Sequence, residues 1–301
     1  MSRIMLRVAY DGTEYSGWQV QPNAVTIEGE LNEALSQLTK ESIQVIGASR
    51  TDAGVHSLGN VCVFDTETSI PAEKICYAVN NMLPGNIRVI ESKEVEADFH
   101  PRHCDSVKTY EYKIWNDIFP SPVLSRYAHF TYRKIDLDKM KVAAEKLVGT
   151  HDFGAFCGAG SQAETTVRTI YGIDITTTPM EMSVTSQRDR VYSTEQTAFD
   201  EQIERVQEKT QSDKNDQTSI DDYSDKDSYE FGKMIHIRVK GSGFLYNMVR
   251  IIAGTLLDIG TGIMEVEDID KCLENHQRSD AGPTAPANGL TMIGIAFSAD
   301  S

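Results

Sequence analysis

The sequence predicts a mixed α/β (α+β) protein made of two ferredoxin-like halves. Three observations carry this. Strand-like and helix-like runs follow one another through the first hundred residues in the order β-α-β-β-α-β. A comparable alternation resumes after residue 105 and runs to the end. Between two late strands lies a stretch, 181–230, too polar to form a core. The boundaries expected are therefore 1–105 for the first half and 106–301 for the second, the latter carrying an acidic insertion at about 181–230.

The elements follow in order. RIMLRVAY (3–10) reads as a strand ended by the turn signal Asp11-Gly12. Over 26–39, Ile27, Leu31, Ala34, Leu35 and Leu38 share one helical face, with Thr26 as N-cap. IQVIGA (43–48) and GNVCVFD (59–65) are short strand-like runs. Pro71 opens a second helix with Ile75, Val79 and Met82 inward, and NIRVIESKEV (86–95) closes the first half as a strand. In the second half, VKTYEYKIW (107–115) alternates as a strand. Residues 136–148 are helical through Leu137, Met140, Ala144 and Leu147, with Gly149 at the C-cap. Strands are expected over 165–176, 233–240 and 290–298, and a mostly apolar helix over 243–259. The insertion reads as exposed, with a short helix around 198–208.

Composition narrows the function classes. No apolar run reaches the roughly 20 residues a membrane span needs. The N-terminus lacks the apolar core and cleavage site of a signal peptide, so a soluble cytoplasmic protein is expected. The cysteines at 62, 76, 104, 157 and 272 are widely spaced with no C-x-x-C, which suggests reduced thiols rather than a zinc site or disulfides. The net charge of −16 argues alone against nucleic acid. Yet residues 181–230 hold 14 acidic and 6 basic side chains, half of the excess, and an acidic total leaves room for a basic cleft.

The loop SRTDAGVHSL (49–58) sits between two expected strands. Its Asp52 has three readings: an Asx-type turn, a metal site with His56, or a catalytic carboxylate beside Arg50. The metal reading lacks further ligands at a helical spacing. Elsewhere, Gly243, Asn247, Arg250, Gly254 and Asp258 form a small, polar stripe on an otherwise apolar helix. A buried arginine needs an anionic partner. That partner is Asp258 or Asp52; an Arg250–Asp52 pair would hold the carboxylate ionised and oriented. Tyr110 and Tyr112 share one face of their strand, as core residues or, for one of them, as a platform for a base.

Six segments together resemble TruA-type tRNA pseudouridine synthases: YDGTEYSGWQVQP (10–22), GASRTDAGVHSLGNVCVFDT (47–66), FHPRHCDSVKTYEYKIW (99–115), GTHDFGAFCG (149–158), VKGSGFLYNMVRIIAG (239–254) and APANGLTMIGIAF (285–297). They span almost the whole chain in the family's order. The flanks of the R-T-D-A-G-V-H block vary mildly, and the 181–230 insertion is the main departure.

The resemblance implies the pseudouridine synthase fold, two halves joined into one continuous, mainly antiparallel sheet with a central catalytic cleft. It implies an isomerase that turns uridine into pseudouridine in the anticodon stem-loop of tRNA, at positions 38, 39 and 40, with no cofactor and no metal. It also implies a homodimer in which one tRNA contacts both subunits. By likeness, Asp52 is the catalytic aspartate, Arg250 its partner, and Tyr110 the ring that stacks on the displaced uracil. Arg50 is the arginine that fills the gap left by the base, and Leu290 the apolar residue packed on the base. Arg102 and Lys108 join the substrate contacts. They stand among basic residues expected to meet RNA phosphates, with His103, Arg126, Arg168 and Lys240. Phe244 is expected in the pocket or, preferably, the core, and His56 in a structural or phosphate-facing place. Tyr10, Asp11, Trp18 and Gln19 lie in a matching segment without assigned chemistry. Two rivals are a tRNA-binding protein without catalysis and a metal-dependent hydrolase using Asp52 and His56.

Overall fold

The computed structural model describes residues 1–180 and 230–297. The insertion and the helix expected around 198–208 lie outside the described residues. Among those described, ten strands form one sheet in the order β4-β1-β3-β10-β5-β9-β8-β7, with β2 added on β3 and β6 on β5.

The first half runs β1 (Ser2–Tyr10), α1 (Ile27–Thr39), β2 (Ile46–Gly47), β3 (His56–Thr66), α2 (Ile75–Val79) and β4 (Ile87–Val95). Thr26 caps α1 by accepting from the Gly29 amide, and Ile27, Leu31, Ala34 and Leu35 are buried. The strand expected over 43–48 shrinks to two residues. The amides of Ile43 and Val45 bond to Ser36 Oγ and Asn32 Oδ1 of α1 instead of a neighbouring strand. α2 is a single short helix after a 3₁₀ turn, so the helical period lapses. Met82, expected inward, is 46% exposed, and Leu83 takes its place in the core.

The second half runs β5 (Ser106–Asn116), β6 (His129–Thr131), α3 (Leu137–Lys146), β7 (Gly149–Asp152), β8 (Val167–Pro179), β9 (Lys233–Gly241), α4 (Met248–Gly260), α5 (Asp268–Asn275) and β10 (Leu290–Phe297). Asp136 caps α3, and Gly149, expected as its C-cap, instead opens β7 with a φ of 119°. β6, β7 and α5 were not anticipated. The helix expected from 243 starts at Met248, because Asn247 adopts a left-handed conformation that no continuing helix accepts.

The two halves use one pattern: β4-β1-β3-β2 and β10-β5-β9-β8 are the same permutation of four antiparallel strands. They join at a short parallel seam, Thr291 opposite His56 and Met292 opposite Ser57. β3 feeds both cores. Cys62 and Phe64 pack with α1 and α2, while Val61 and Val63 join the larger cluster beneath α3, α4 and α5. No described helix is long and apolar enough to cross a membrane. The five cysteines are free, three of them buried.

Candidate active site

The seam decides what meets what. The loop carrying Asp52 leads into β3 at His56, and Leu290 opens β10, so the His56–Thr291 pairing delivers both to the same end of the sheet. On the other side of β10, Tyr110 of β5 lies opposite Met292, and Tyr112 opposite Leu290. A cleft of about 930 Å³ opens there. Asp52, Arg50, Tyr110, Leu290, Lys108 and Arg102 all line it. Arg250 stands behind Asp52 in the first turn of α4.

Arg250 is held at three points. Its Nη1 donates to Asn247 Oδ1 at 2.9 Å and reaches Asp52 Oδ2 at 3.4 Å, and its Nε donates to the Ala285 carbonyl at 2.8 Å. The small residues of the stripe have a steric purpose. A Cβ at Gly254 would collide with the Pro283 carbonyl, so only glycine lets the 283–285 segment cross the helix. Asp258, the alternative partner for Arg250, feels Arg133 instead. Gly243 precedes the helix and is not part of the stripe.

Asp52 is largely buried, and burial raises its carboxyl above the usual carboxylate range, with Arg250 pulling in the opposite direction. The sequence reading expected the arginine to hold the group in its charged form; here desolvation is the larger effect, because the contact is single and relatively long. Tyr110 is buried with its hydroxyl on Ser49 Oγ at 2.9 Å, and burial pushes that hydroxyl up to about 12, so it remains protonated. Phe244 meets Tyr110 edge-on at 5.3 Å; it packs against the larger core cluster and also lines the cleft, so both of its expected places apply. Arg50 is exposed and makes no hydrogen bond or ion pair among the described residues.

The expected basic residues separate. Arg50, Arg102, Lys108 and Arg168 line the cleft. Arg126 pairs with Asp11 and Glu14 outside it, Lys240 lies one register step from the Tyr110 row, and the His103 ring meets that of His100 at a 45° tilt. His56 is structural: its Nδ1 accepts from the Gly12 amide at 3.1 Å, which leaves Nε2 to donate to the Arg126 carbonyl at 2.9 Å. With both ring nitrogens committed, it offers no metal ligand.

Sequence reasoning missed how the 10–22 segment works. Tyr10 hydroxyl bonds Thr51 Oγ1 at 2.8 Å, the Trp18 amide bonds the Thr51 carbonyl, and the Gly54 amide bonds the Tyr15 carbonyl. Asn60, fully buried, donates to the Ser49 carbonyl at 3.0 Å. Gly17 has φ 91°, and a Cβ there would lie 2.6 Å from the Thr51 carbonyl oxygen. The signal was two glycines, Gly12 and Gly17, flanking a run with no helical or strand period; they mark backbone packed on backbone. This segment is a brace that fixes the Asp52 loop.

A largely buried carboxylate in contact with an arginine, a protonated tyrosine beside it and a row of cations with no carboxylate partner among the described residues suit an enzyme that works on a base within RNA. The comparisons make this specific. The tRNA pseudouridine synthase family model matches residues 7–103 and 143–298. The chain is 37% identical over 297 residues to tRNA pseudouridine synthase A of Acetivibrio thermocellus, covering 99% of this chain and all of the relative. It is 38% identical over 298 residues to the enzyme of that name from Thermoanaerobacter pseudethanolicus, and 37% over 297 residues to that of Brevibacillus brevis, at the same coverage. The chain belongs to the tRNA pseudouridine synthase family, the TruA-type enzymes, which are isomerases acting on uridine in tRNA.

Proposed function

We propose that this cleft isomerises uridine in the anticodon stem-loop of tRNA, at positions 38, 39 and 40, with Asp52 as the catalytic carboxylate. The observation that carries the reading is the Asp52–Arg250 contact at 3.4 Å, formed on the floor of a cleft beside Tyr110. The N1–C1′ bond breaks, uracil turns, and C5 bonds to C1′; C5 gives up its proton and N1 gains one, so the reaction needs no cofactor. Attack at C1′, attack at C6 and removal of a ribose proton all require an ionised, placed carboxylate. Each is compatible with Asp52.

Arg50, exposed and without a partner among the described residues, enters the space the displaced uridine leaves, which offsets part of the few kcal/mol that unstacking costs. Tyr110 supports the flipped base on one side, and Leu290 provides an apolar contact that excludes water. Arg102 and Lys108 contact the RNA backbone. In this reading units 1–105 and 106–301 each supply one side of the cleft, the active form is a cytoplasmic homodimer, and one tRNA touches both subunits. Asp52→Asn is the test. It should bind tRNA with near-normal affinity and form no pseudouridine; near-normal turnover would remove Asp52 from the chemistry.

A further inference from the structure

The connection between β5 and β6 lies outside the cleft: residues 117–128 are not among those that line it. Yet three segments that build the cleft are tied to one turn of this connection. The Tyr127 hydroxyl donates to Asp11 Oδ2 at 2.9 Å, and Asp11 belongs to the segment that braces the Asp52 loop. His56, four residues after Asp52, donates from Nε2 to the Arg126 carbonyl at 2.9 Å. Asn288, two residues before Leu290, donates from Nδ2 to the Ser125 and Ala128 carbonyls at 2.7 and 3.0 Å. The partners are 70 to 163 residues apart in sequence, so no local preference of the chain accounts for these bonds.

The turn is fixed to the second half. Its own bonds close it, with the Leu124 amide on the Ser121 carbonyl, the Tyr127 amide on the Leu124 carbonyl and Ser125 Oγ on the Pro122 carbonyl. Beneath it Trp115 of β5, Met234 of β9 and Ala128 form a small core of their own, against which Leu124 packs. Trp115 Nε1 reaches over to the Phe119 carbonyl at 3.2 Å. The first half, by contrast, pairs with β10 through only two residue pairs of the seam. Two side chains do most to extend that junction. Asn288 uses its amide nitrogen on two carbonyls three residues apart, which an aspartate of the same shape lacks the donors to do. Tyr127 is 43% exposed, so its hydroxyl bond to Asp11, more than burial of its ring, distinguishes it from phenylalanine.

We infer that this turn is a post that sets the position of the Asp52 loop relative to Leu290, and that Tyr127 and Asn288 are positioning residues for the reaction. The inference rests on the cleft being the catalytic site. Asp52 and Leu290 stand on segments from opposite ends of the chain and meet one nucleotide only while their separation holds. A displacement of about 1 Å in such a site costs on the order of 100-fold in rate. The post holds both segments from outside, where it touches neither base nor sugar.

The test uses the full chain carrying Tyr127→Phe, Asn288→Ala or both, with Tm measured for each and activity on tRNA assayed well below it. Each single variant should lower kcat about tenfold and leave KM within about twofold of wild type, since neither residue lines the cleft. The double variant should lose about 20- to 30-fold rather than the roughly 100-fold of independent effects, because both changes loosen one post. Backbone hydrogen exchange, followed by mass spectrometry, should quicken over 50–56 and 286–291 and stay as in the wild type over α3. Wild-type kcat in both single variants would overturn the post, and so would unchanged exchange in those two segments. A fall in kcat matched by a smaller folded fraction, or a raised KM at unchanged kcat, would assign the turn to stability or to tRNA binding and equally overturn it. Because exchange is read without turnover, a wild type that made no pseudouridine would fail the functional proposal alone.

Discussion

Replacing Arg250 by Met tests the electrostatics of the site most sharply. At 3.4 Å and an effective dielectric of 20, the attraction between Arg250 and Asp52 is about 5 kcal/mol, most of which desolvation of the two partly buried ions offsets. Truncation removes the attraction and keeps the burial of Asp52. The expected loss is about 2–3 kcal/mol, or roughly 30- to 150-fold in kcat/KM at neutral pH. Methionine preserves the apolar stem but also removes the hydrogen bonds to the Ala285 carbonyl and Asn247 Oδ1, so thermal unfolding is measured alongside activity. The direction with pH follows from the same balance. Burial already raises the Asp52 carboxyl, and without Arg250 it rises further, so the acid limb of the kcat/KM profile moves to higher pH. A group whose folded pKa is raised detracts from stability once it ionises, so the deficit in Tm should grow as pH rises above the ordinary aspartate value of 3.8. Release of label from tRNA carrying tritium at uridine C5, measured from that value into alkali, supplies the kinetics. A variant with wild-type kcat/KM and an unmoved acid limb would refute the reasoning.

Two further outcomes are expected. Gly17→Ala forces a side chain onto the Thr51 carbonyl at a φ of 91°, which should cost about 2–3 kcal/mol of stability and, by displacing the Asp52 loop, about 100-fold in kcat/KM, while circular dichroism shows a folded chain. Glu111, buried on β5, is held by His236 and Arg238 down to about 2. A depressed carboxylate stabilises above its unfolded value and loses that contribution as pH falls, so wild-type stability should drop between about 4.5 and about 2. Glu111→Gln should lack that drop and cost about 1–2 kcal/mol at neutral pH, a modest figure because Arg238 is half-exposed; denaturant titrations at several pH values read it.

Much of this was legible from residue order, for reasons that can be stated. Thr26 and the Ile27–Leu31–Leu35 spacing specify α1 locally, and alternation specifies β1 and β5; the structure agrees. The RTDAGVH block, Tyr110 and Arg250 were each visible as unusual residues in an apolar or turn context. What local pattern lacked was the seam. Two residue pairs, Thr291 with His56 and Met292 with Ser57, join the halves, and no periodicity reports a parallel contact between segments more than two hundred residues apart. The brace by residues 10–18 escaped because most of it is main-chain bonds to the Asp52 loop, which glycine permits, and its one side-chain bond, Tyr10 to Thr51, joins residues 41 apart with no shared pattern. Short elements such as β7 and α5 escaped because a helix or strand of few residues is set by tertiary packing rather than propensity. The pKa of Asp52 moved against expectation because depth of burial, unlike the identity of a partner, is a property of the whole fold.

The central claim is that Asp52 turns uridine into pseudouridine in tRNA. Pseudouridine mapping of tRNA from cells lacking the protein, set beside cells carrying the wild type or Asp52→Asn, tests it most directly. The account predicts modification at positions 38, 39 and 40 with the wild type alone, and unmodified uridine in the other two. Equal modification with Asp52→Asn, or unchanged pseudouridine at every tRNA position in cells lacking the protein, would contradict it.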